Sequence, residues 1–286
     1  MKVAILGAGG QLAHDLVQLM VDWDLVLLRH ADLDVCDHAR ARQVLTQAAP
    51  EVVINTAAFH RVEDCEDQPE KAFQVNAIAV RNLAQVCRDL DCTMVHISTD
   101  YVFEGEKRSP YTEEDLANPL NVYGVSKLAG EYFVRNTCPK HFVVRTAGLY
   151  GVAGSSGKGG NFVETIIRLA KEDKPIRVVE DQVLSPTYTK DLAAKMVDLV
   201  QTADYGLYHI ANDGQCSWYE FATKILELVR HHSSLDPTTS AEYGMVARRP
   251  PYSALANDSM HASGVGRLRH WSEALQEYLG VRDHDS

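Results

Sequence analysis

Apolar and polar positions follow a repeating unit through the first half of the chain. Lys2–Leu6 is a short apolar run, followed by Gly7-Ala8-Gly9-Gly10 and an amphipathic stretch to Val21, which reads as strand, glycine-rich turn and helix. Asp24–Leu28 predicts a second strand, His38–Ala48 a helix, and Glu51–Asn55 a third strand entered after Pro50. A long helix is expected from Pro69 to about Leu90, since proline's fixed φ suits a first turn and its missing N–H would be unpaired there. Thr93–Ile97 reads as a fourth strand ending in Ser98-Thr99-Asp100. Phe103–Asn118 is polar, carries Gly and Pro, and predicts a loop over a site. Asn118-Pro119 offers start signals for a helix around Tyr123, and Phe142–Arg145 predicts the next strand. Strands alternating with helices of this length imply a parallel sheet covered on both faces.

Beyond Thr146 the rhythm loosens. Gly151–Gly160 reads as a Gly/Ser loop, Phe162–Glu172 as a helix and Ile176–Val179 as a strand. Lys190–Gln201 and Ser217–Arg230 predict helices, with a short strand at Leu207–Ile210 between them. Trp271–Leu279 predicts a last helix, and Arg282–Ser286 a disordered tail. No internal repeat is visible.

Composition narrows the class. A chain of 286 residues with 45% apolar content can bury a large core. Twenty-eight basic residues against thirty-nine acidic ones leave a net charge of −11, which argues against nucleic acid or an anionic membrane as partner. No apolar run approaches the roughly 20 residues a bilayer needs, and the start lacks the basic end and cleavage site of a signal peptide. Cys36, Cys65, Cys87, Cys92, Cys138 and Cys216 are scattered without a Cys-x-x-Cys pair, and read as reduced thiols of a cytoplasmic protein. The histidines show no metal spacing, and His231-His232 is expected on a solvated helix end. No metal site is expected.

Two features carry chemistry. At the first turn, Gly7 and Gly10 permit a tight bend and close backbone approach to a pyrophosphate, small Ala13 lets helix and strand pack closely, and the helix N-terminus meets the phosphate charge. The fold class expected is therefore α/β, a Rossmann-type doubly wound parallel sheet. Residues 1–147 form the NAD(P)-binding domain and 148–286 a smaller, mixed α/β substrate-binding domain, some of whose segments return to the sheet. The second feature is Tyr123 and Lys127, four residues apart on one helical face. An ammonium beside a phenol stabilises the phenolate and is expected to lower the tyrosine pKa, so that Tyr123 exchanges a proton with an alcohol oxygen. In a doubly wound sheet, ligands bind outside the carboxyl ends of the strands, where Ser98-Thr99-Asp100 and Thr146-Ala147-Gly148 fall. Thr99 would donate to a developing alkoxide, and Lys127 would hold ribose hydroxyls. Strand two ends Leu27-Leu28-Arg29-His30, with no acid before Asp32 and Asp34. Arg29 is therefore expected to accommodate a 2′-phosphate and NADPH to be preferred, with NADH as the other candidate.

Gly7–Leu12, Asn55–Ala58, Asn76, Ser98–Phe103, Pro119–Glu131, Arg145-Thr146, Asn161-Phe162, Asp181-Gln182, Pro186-Thr187 and Arg249-Pro250 together resemble the extended short-chain dehydrogenase/reductases. Within them the likeness is to the dTDP-4-dehydrorhamnose reductase family, over nearly the whole chain. The resemblance implies NADPH-dependent reduction of the C4 ketone of a nucleotide-linked 6-deoxy-4-ketosugar, as in dTDP-L-rhamnose biosynthesis. It places Thr99, Tyr123 and Lys127 on the catalytic triad. Gly10, Gln11, Leu12, Asp34, Val35, Ala57 and Ala58 fall on cofactor contacts and Asp100 on a substrate contact. One departure stands out: the family usually carries a tryptophan two residues after Arg-Thr, where this chain has Gly148. Its absence is expected to open the sugar site, leaving the sugar unidentified. The pocket is expected between Asp100, Gly148 and the second domain, with Asn161, Thr187 and Arg249 as polar contacts. Arg249 suits a diphosphate because its planar fork matches phosphate oxygens, though a domain-packing role is the alternative. Related dehydratases place a glutamate where Tyr101 stands, so dehydration is discounted. Two alternatives to the reductase remain: a nucleotide-sugar epimerase, and a non-catalytic NADP-binding regulatory subunit like that of methionine adenosyltransferase. The sequence leaves open the nucleotide, a structural Mg²⁺ and the oligomeric state, a homodimer included.

Overall fold

The computed structural model describes residues 1–153 and 160–284. In chain order the first half forms β1 (Lys2–Leu6), α1 (Gln11–Leu19), β2 (Asp24–Leu28), α2 (His38–Ala48), β3 (Val52–Asn55), α3 (Val62–Asp67) and α4 (Pro69–Phe73). A π-helical turn (Gln74–Ala79) then leads into α5 (Val80–Asp89), β4 (Thr93–Thr99), α6 (Val122–Thr137) and β5 (His141–Thr146). The second half forms β6 (Leu149–Tyr150), α7 (Phe162–Lys171), β7 (Ile176–Val179), β8 (Val183–Leu184), β9 (Thr187–Tyr188), α8 (Thr189–Leu199) and β10 (Gly206–His209). After these come β11 (Cys216–Ser217), α9 (Trp218–Leu228), β12 (Leu235–Thr238), α10 (Ser240–Tyr243), α11 (Asp258–Ala262) and α12 (Trp271–His284).

The central sheet runs β10-β5-β4-β3-β1-β2, and every pairing in it is parallel. Side chains alternate along each strand, which splits the core into two layers. Val3, Ile5, Val52, Ile54, Phe142 and Val144 face α1 and α8, where Leu12, Leu16, Leu192 and Met196 meet them. Ala4, Leu6, Val53, Met94 and Val143 point the other way, to Ala41 and Leu45 of α2, Leu83 and Val86 of α5 and Val134 of α6. The chain leaves β1 toward β2 on one side and returns to β3 on the other. The strand order thus reverses between β1 and β3, and that reversal opens a crevice at their carboxyl ends. A further core joins α7, α9 and α12 around Tyr150, Tyr188 and Tyr278.

Several elements differ from expectation for local reasons. The helix from Pro69 is interrupted by the π-turn, where Asn76 is buried; its Nδ2 donates to Phe59 O (2.9 Å) and Ser126 Oγ (3.1 Å), and its Oδ1 accepts from Phe59 N (2.9 Å). Gly130 makes room for this, because a Cβ there would lie 2.3 Å from Asn76 O. The cap of α6 is Asn121, accepting from Gly124 N (2.8 Å), and not Asn118-Pro119. Phe103–Asn118 does not cover the site. Phe103 and Tyr111 stack at 4.1 Å, both buried against Tyr252 and Leu255, and they draw the loop onto the C-terminal segment. Two-residue strands such as β6, β8, β9 and β11 are too short to show a period. The tail expected from Arg282 is instead the end of α12 as far as His284, and residues 285–286 lie outside the described residues. Residues 154–159 of the anticipated Gly/Ser loop lie outside them too. Among the described residues no helix is long and apolar enough to cross a membrane, and none of the six cysteines is in a disulfide.

Candidate active site

The turn after β1 is built for close approach. Gly7 has φ +78°, and a Cβ on it would lie 2.8 Å from both Ala57 N and Thr56 Oγ1, so only glycine fits. The N–H groups of Gly7 and Ala8 donate to Leu28 O at 2.9 and 3.2 Å, while Gly10 N donates to Gly7 O at 3.0 Å. Gly9 has nothing within 4 Å of where its Cβ would be and faces open space. Gly10 caps α1 without a side-chain hydrogen bond, leaving the first-turn N–H groups directed at the crevice. That is the donor set a pyrophosphate requires, so the residues fit a dinucleotide.

A single cavity of about 1130 Å³ brings the expected cofactor residues together: Gly7, Gly10, Gln11, Leu12, Arg29, Asp34, Val35, Ala57 and Ala58 all line it. Gln11 Nε2 donates to Leu149 O (3.3 Å), and its buried Oε1 has no partner among the described residues. Arg29 is exposed at the rim, its backbone N–H held by the Asp32 carboxylate (3.0 Å). Asp34 accepts from Cys36 N (2.9 Å), and Asn55 Oδ1 accepts from Ala57 N (3.2 Å).

Thr99, Asp100, Tyr123, Lys127 and Gly148 line the same cavity. Thr99 closes β4, donating to Asp100 Oδ1 and accepting from Tyr101 N, both at 3.1 Å. Asp100 is buried and also accepts from Ser253 Oγ (2.5 Å); burial pushes its carboxyl up to about 6, against the lowering effect of these hydrogen bonds. Lys127 donates to Ile97 O (2.5 Å) and lies 3.5 Å from His96 Nε2, whose Nδ1 is 3.4 Å from Asn55 Nδ2. Burial brings the Lys127 ammonium down to about 8, and the Glu131 carboxylate one turn along α6 partly offsets it. Tyr123 behaves opposite to the expected lowering. Its ring is partly open to the cavity, yet the surrounding protein withdraws it from bulk water. That desolvation pushes its phenol up, beyond what a hydrogen bond with Thr99 recovers, and the neighbouring Asp100 carboxylate pushes the same way.

Other expected residues fare differently. Asn161 lines the cavity, but its polar atoms are engaged: Oδ1 caps α7 through Glu164 N (3.0 Å), and Nδ2 donates to Gly151 O and Tyr278 Oη. Thr187 is not a cavity wall; it is fully buried in β9 and donates to Ser185 O (3.0 Å). Arg249 does line the cavity, with Nη2 2.7 and 3.0 Å from the two oxygens of Glu63, on the helix α3 that sequence periodicity missed. Gly148 does not open empty space. It has φ +53°, and a Cβ on it would lie 2.6 Å from Leu184 Cδ1, 3.3 Å from Pro186 Cα and 3.6 Å from the Trp218 ring.

A charged group that spacing gave no sign of lies directly behind these residues. Glu131 and Arg145 are buried and paired at 2.9 and 2.7 Å, with Ser98 Oγ donating to Glu131 at 2.5 Å. The Arg145 guanidinium sits over the Phe103 ring (5.1 Å) and 3.5 Å from His209 Nε2. Ser98 adjoins Thr99, and Glu131 is one turn from Lys127, so the pair sets the backs of both. Partners so distant in sequence have no periodic signature.

A family model described as the RmlD substrate binding domain matches residues 1–283. The spore coat polysaccharide biosynthesis protein SpsK of Bacillus subtilis is 40% identical over 98% of this chain and 98% of its own length. A crystal structure of a dTDP-4-dehydrorhamnose reductase from Clostridium acetobutylicum superposes with a TM-score of 0.94 at 38% identity, over 99% of this chain and 100% of that one. The dTDP-4-dehydrorhamnose reductase of Bacillus anthracis in complex with NADP gives 0.93 at 38% identity, over 97% and 98% of the two chains.

Proposed function

This chain belongs to the RmlD family, and from that premise we propose how it reduces the C4 ketone of a nucleotide-linked 6-deoxy-4-ketosugar. It is an NADPH-dependent oxidoreductase. The observation that carries the mechanism is the convergence of Thr99, Tyr123 and Lys127 on the cavity that also holds the glycine turn. NADPH, when bound, supplies the hydride. When the ketone binds, Thr99 Oγ1 turns its single O–H from Asp100 Oδ1 to the ketone oxygen, where negative charge develops, and Tyr123 Oη delivers the proton that completes the alcohol. The raised phenol suits this direction, because it keeps Tyr123 protonated at working pH. Lys127, anchored to Ile97 O, directs its remaining N–H donors to ribose hydroxyls. Asp100 accepts a sugar hydroxyl. Residues 1–147 act as the dinucleotide-binding part and 148–286 as the substrate part, with α8 and β10 returned to the sheet. A cytoplasmic location, where NADPH is available and the free thiols stay reduced, belongs to the same proposal.

The test is NADPH oxidation with dTDP-4-dehydrorhamnose, with NMR identification of the product. Stoichiometric NADPH consumption with formation of a C4 alcohol supports the reductase. Sugar conversion without net cofactor oxidation would make the chain an epimerase instead, and binding of NADPH without any conversion would leave a regulatory role.

Two expected results follow from the site. The rate constant kcat/KM should rise with pH through about 6, as Asp100 ionises and becomes an acceptor, and fall above about 8, as Lys127 loses its proton. Asp100→Asn should abolish the acid limb; a flat profile from pH 5 to 9 would contradict both assignments. The second concerns Arg29, exposed at the rim beyond β2. Arg29→Ala should weaken NADPH binding by about tenfold and leave NADH binding nearly unchanged, the magnitude of one charge-assisted hydrogen bond. Parallel fluorescence titrations check it, and equal effects on both cofactors would remove Arg29 from the 2′-phosphate site.

A further inference from the structure

The two sides of the cavity differ in chemistry. Thr99, Asp100 and Tyr123 make one side polar, while the second half of the chain faces it with Leu184, Trp218 and Phe162. Between them lies Gly148, whose missing side chain leaves the space that Leu184 Cδ1 takes, with the Trp218 ring alongside. The indole is held firmly. Trp218 opens α9, whose capping box joins Ser217 and Glu220 at 2.7 and 3.1 Å, and its backbone N–H donates to Gln182 O (3.2 Å). Its ring packs at 4.5 Å on Phe162, which in turn stacks on Phe221. Yet Trp218 remains only half-buried and lines the cavity. An independent observation lies beside it: Thr146 is 4% exposed, lines the cavity, and its Oγ1 has no hydrogen-bond partner among the described residues. Buried hydroxyls are ordinarily paired, so this one awaits a ligand.

We propose that Trp218 and Leu184 form the apolar face against which the 6-deoxypyranose of the substrate lies, and that Thr146 Oγ1 hydrogen-bonds one of its hydroxyls. The assignment rests on the reductase reading and gives it a specificity element. A pyranose presents an apolar C–H face that an aromatic ring covers, and a 6-deoxysugar adds a methyl that needs an apolar wall. The polar triad then addresses the C4 oxygen from the opposite side. Gly148 is thus matched to Leu184: this chain supplies an aromatic wall from α9 and not from the segment after β5.

Calorimetric titration with dTDP-L-rhamnose and with dTDP separates the sugar contribution from that of the nucleotide. Trp218→Ala should weaken dTDP-L-rhamnose binding by roughly tenfold or more, the usual consequence of removing a buried aromatic anchor. Binding of dTDP and of NADPH should be unchanged, the latter also reporting that the variant is folded. Trp218→Phe should recover most of the loss. Thr146→Val keeps the shape while removing the hydroxyl, and should weaken dTDP-L-rhamnose but not dTDP. A wild-type protein that reduces the ketosugar, together with Trp218→Ala and Thr146→Val variants that bind dTDP-L-rhamnose normally, overturns this assignment alone. A wild-type protein that binds no dTDP-sugar overturns it along with the reductase reading.

Discussion

Tyr123→Phe is expected to lower kcat by at least ~10²-fold, the usual worth of a positioned general acid, while NADPH binding is little changed. The substitution keeps the ring and its edge contact with Tyr101 at 6.0 Å, so packing is preserved and only the proton is lost. The reason for expecting so large an effect is the phenol's environment. Burial raises its pKa, so the proton is held until a stronger base appears, and the alkoxide produced by hydride addition is such a base. Water cannot replace the group easily, because Thr99 and Asp100 beside it are almost fully buried. A KM unchanged with kcat strongly reduced is the signature of an interaction made only in the transition state. A Tyr123→Phe protein turning over at near the wild-type rate would assign proton delivery elsewhere, and Thr99→Val would then be the variant to compare.

The glycine-turn side of the cavity was readable from the sequence, and the side facing it much less so. Glycine turns and strand ends are local: Gly7 and Gly10 announce a bend within four residues, and β1, β3 and β5 each bury a continuous apolar run. Tyr123 and Lys127 were equally legible, because a helix converts a spacing of four into one face. What spacing could not convey is desolvation. The Tyr123 pKa moves up because of residues packed around it from several elements, and no local pattern records that. The substrate side depends on contacts between segments far apart: Trp218 and Leu184 reach Gly148, Glu63 reaches Arg249, and Ser253 reaches Asp100. Asn161 and Thr187 looked like substrate contacts by position, but their polar atoms serve a helix cap and a loop carbonyl. The polar composition of Phe103–Asn118 likewise concealed Phe103 and Tyr111, two aromatics sufficient to bury the segment.

Glu131→Ala is expected to destabilise the protein by about 3–5 kcal/mol, because it strands a buried guanidinium. Arg145 is 3% exposed, and its hydrogen bonds to Glu131 at 2.9 and 2.7 Å neutralise it from one direction; the remaining neighbours are the Phe103 ring and His209. His209 cannot substitute for the lost carboxylate. Burial and the Arg145 charge bring its pKa down to about 3, so it stays neutral and supplies no negative charge. Losing one partner should therefore cost much more than losing both. Glu131→Leu combined with Arg145→Met replaces the pair with apolar side chains, and should unfold closer to the wild type than Glu131→Ala does. Urea unfolding of the wild type, Glu131→Leu, Arg145→Met and the double variant gives the coupling directly. The pair also bears on catalysis, since Ser98 and Lys127 are adjacent to it. The double variant should therefore regain stability without regaining full kcat, as Ser98 loses its acceptor and Lys127 the carboxylate that supports its charge. If Glu131→Ala instead unfolds within about 1 kcal/mol of wild type, water must reach Arg145, and the group is an ordinary solvated ion pair of little consequence.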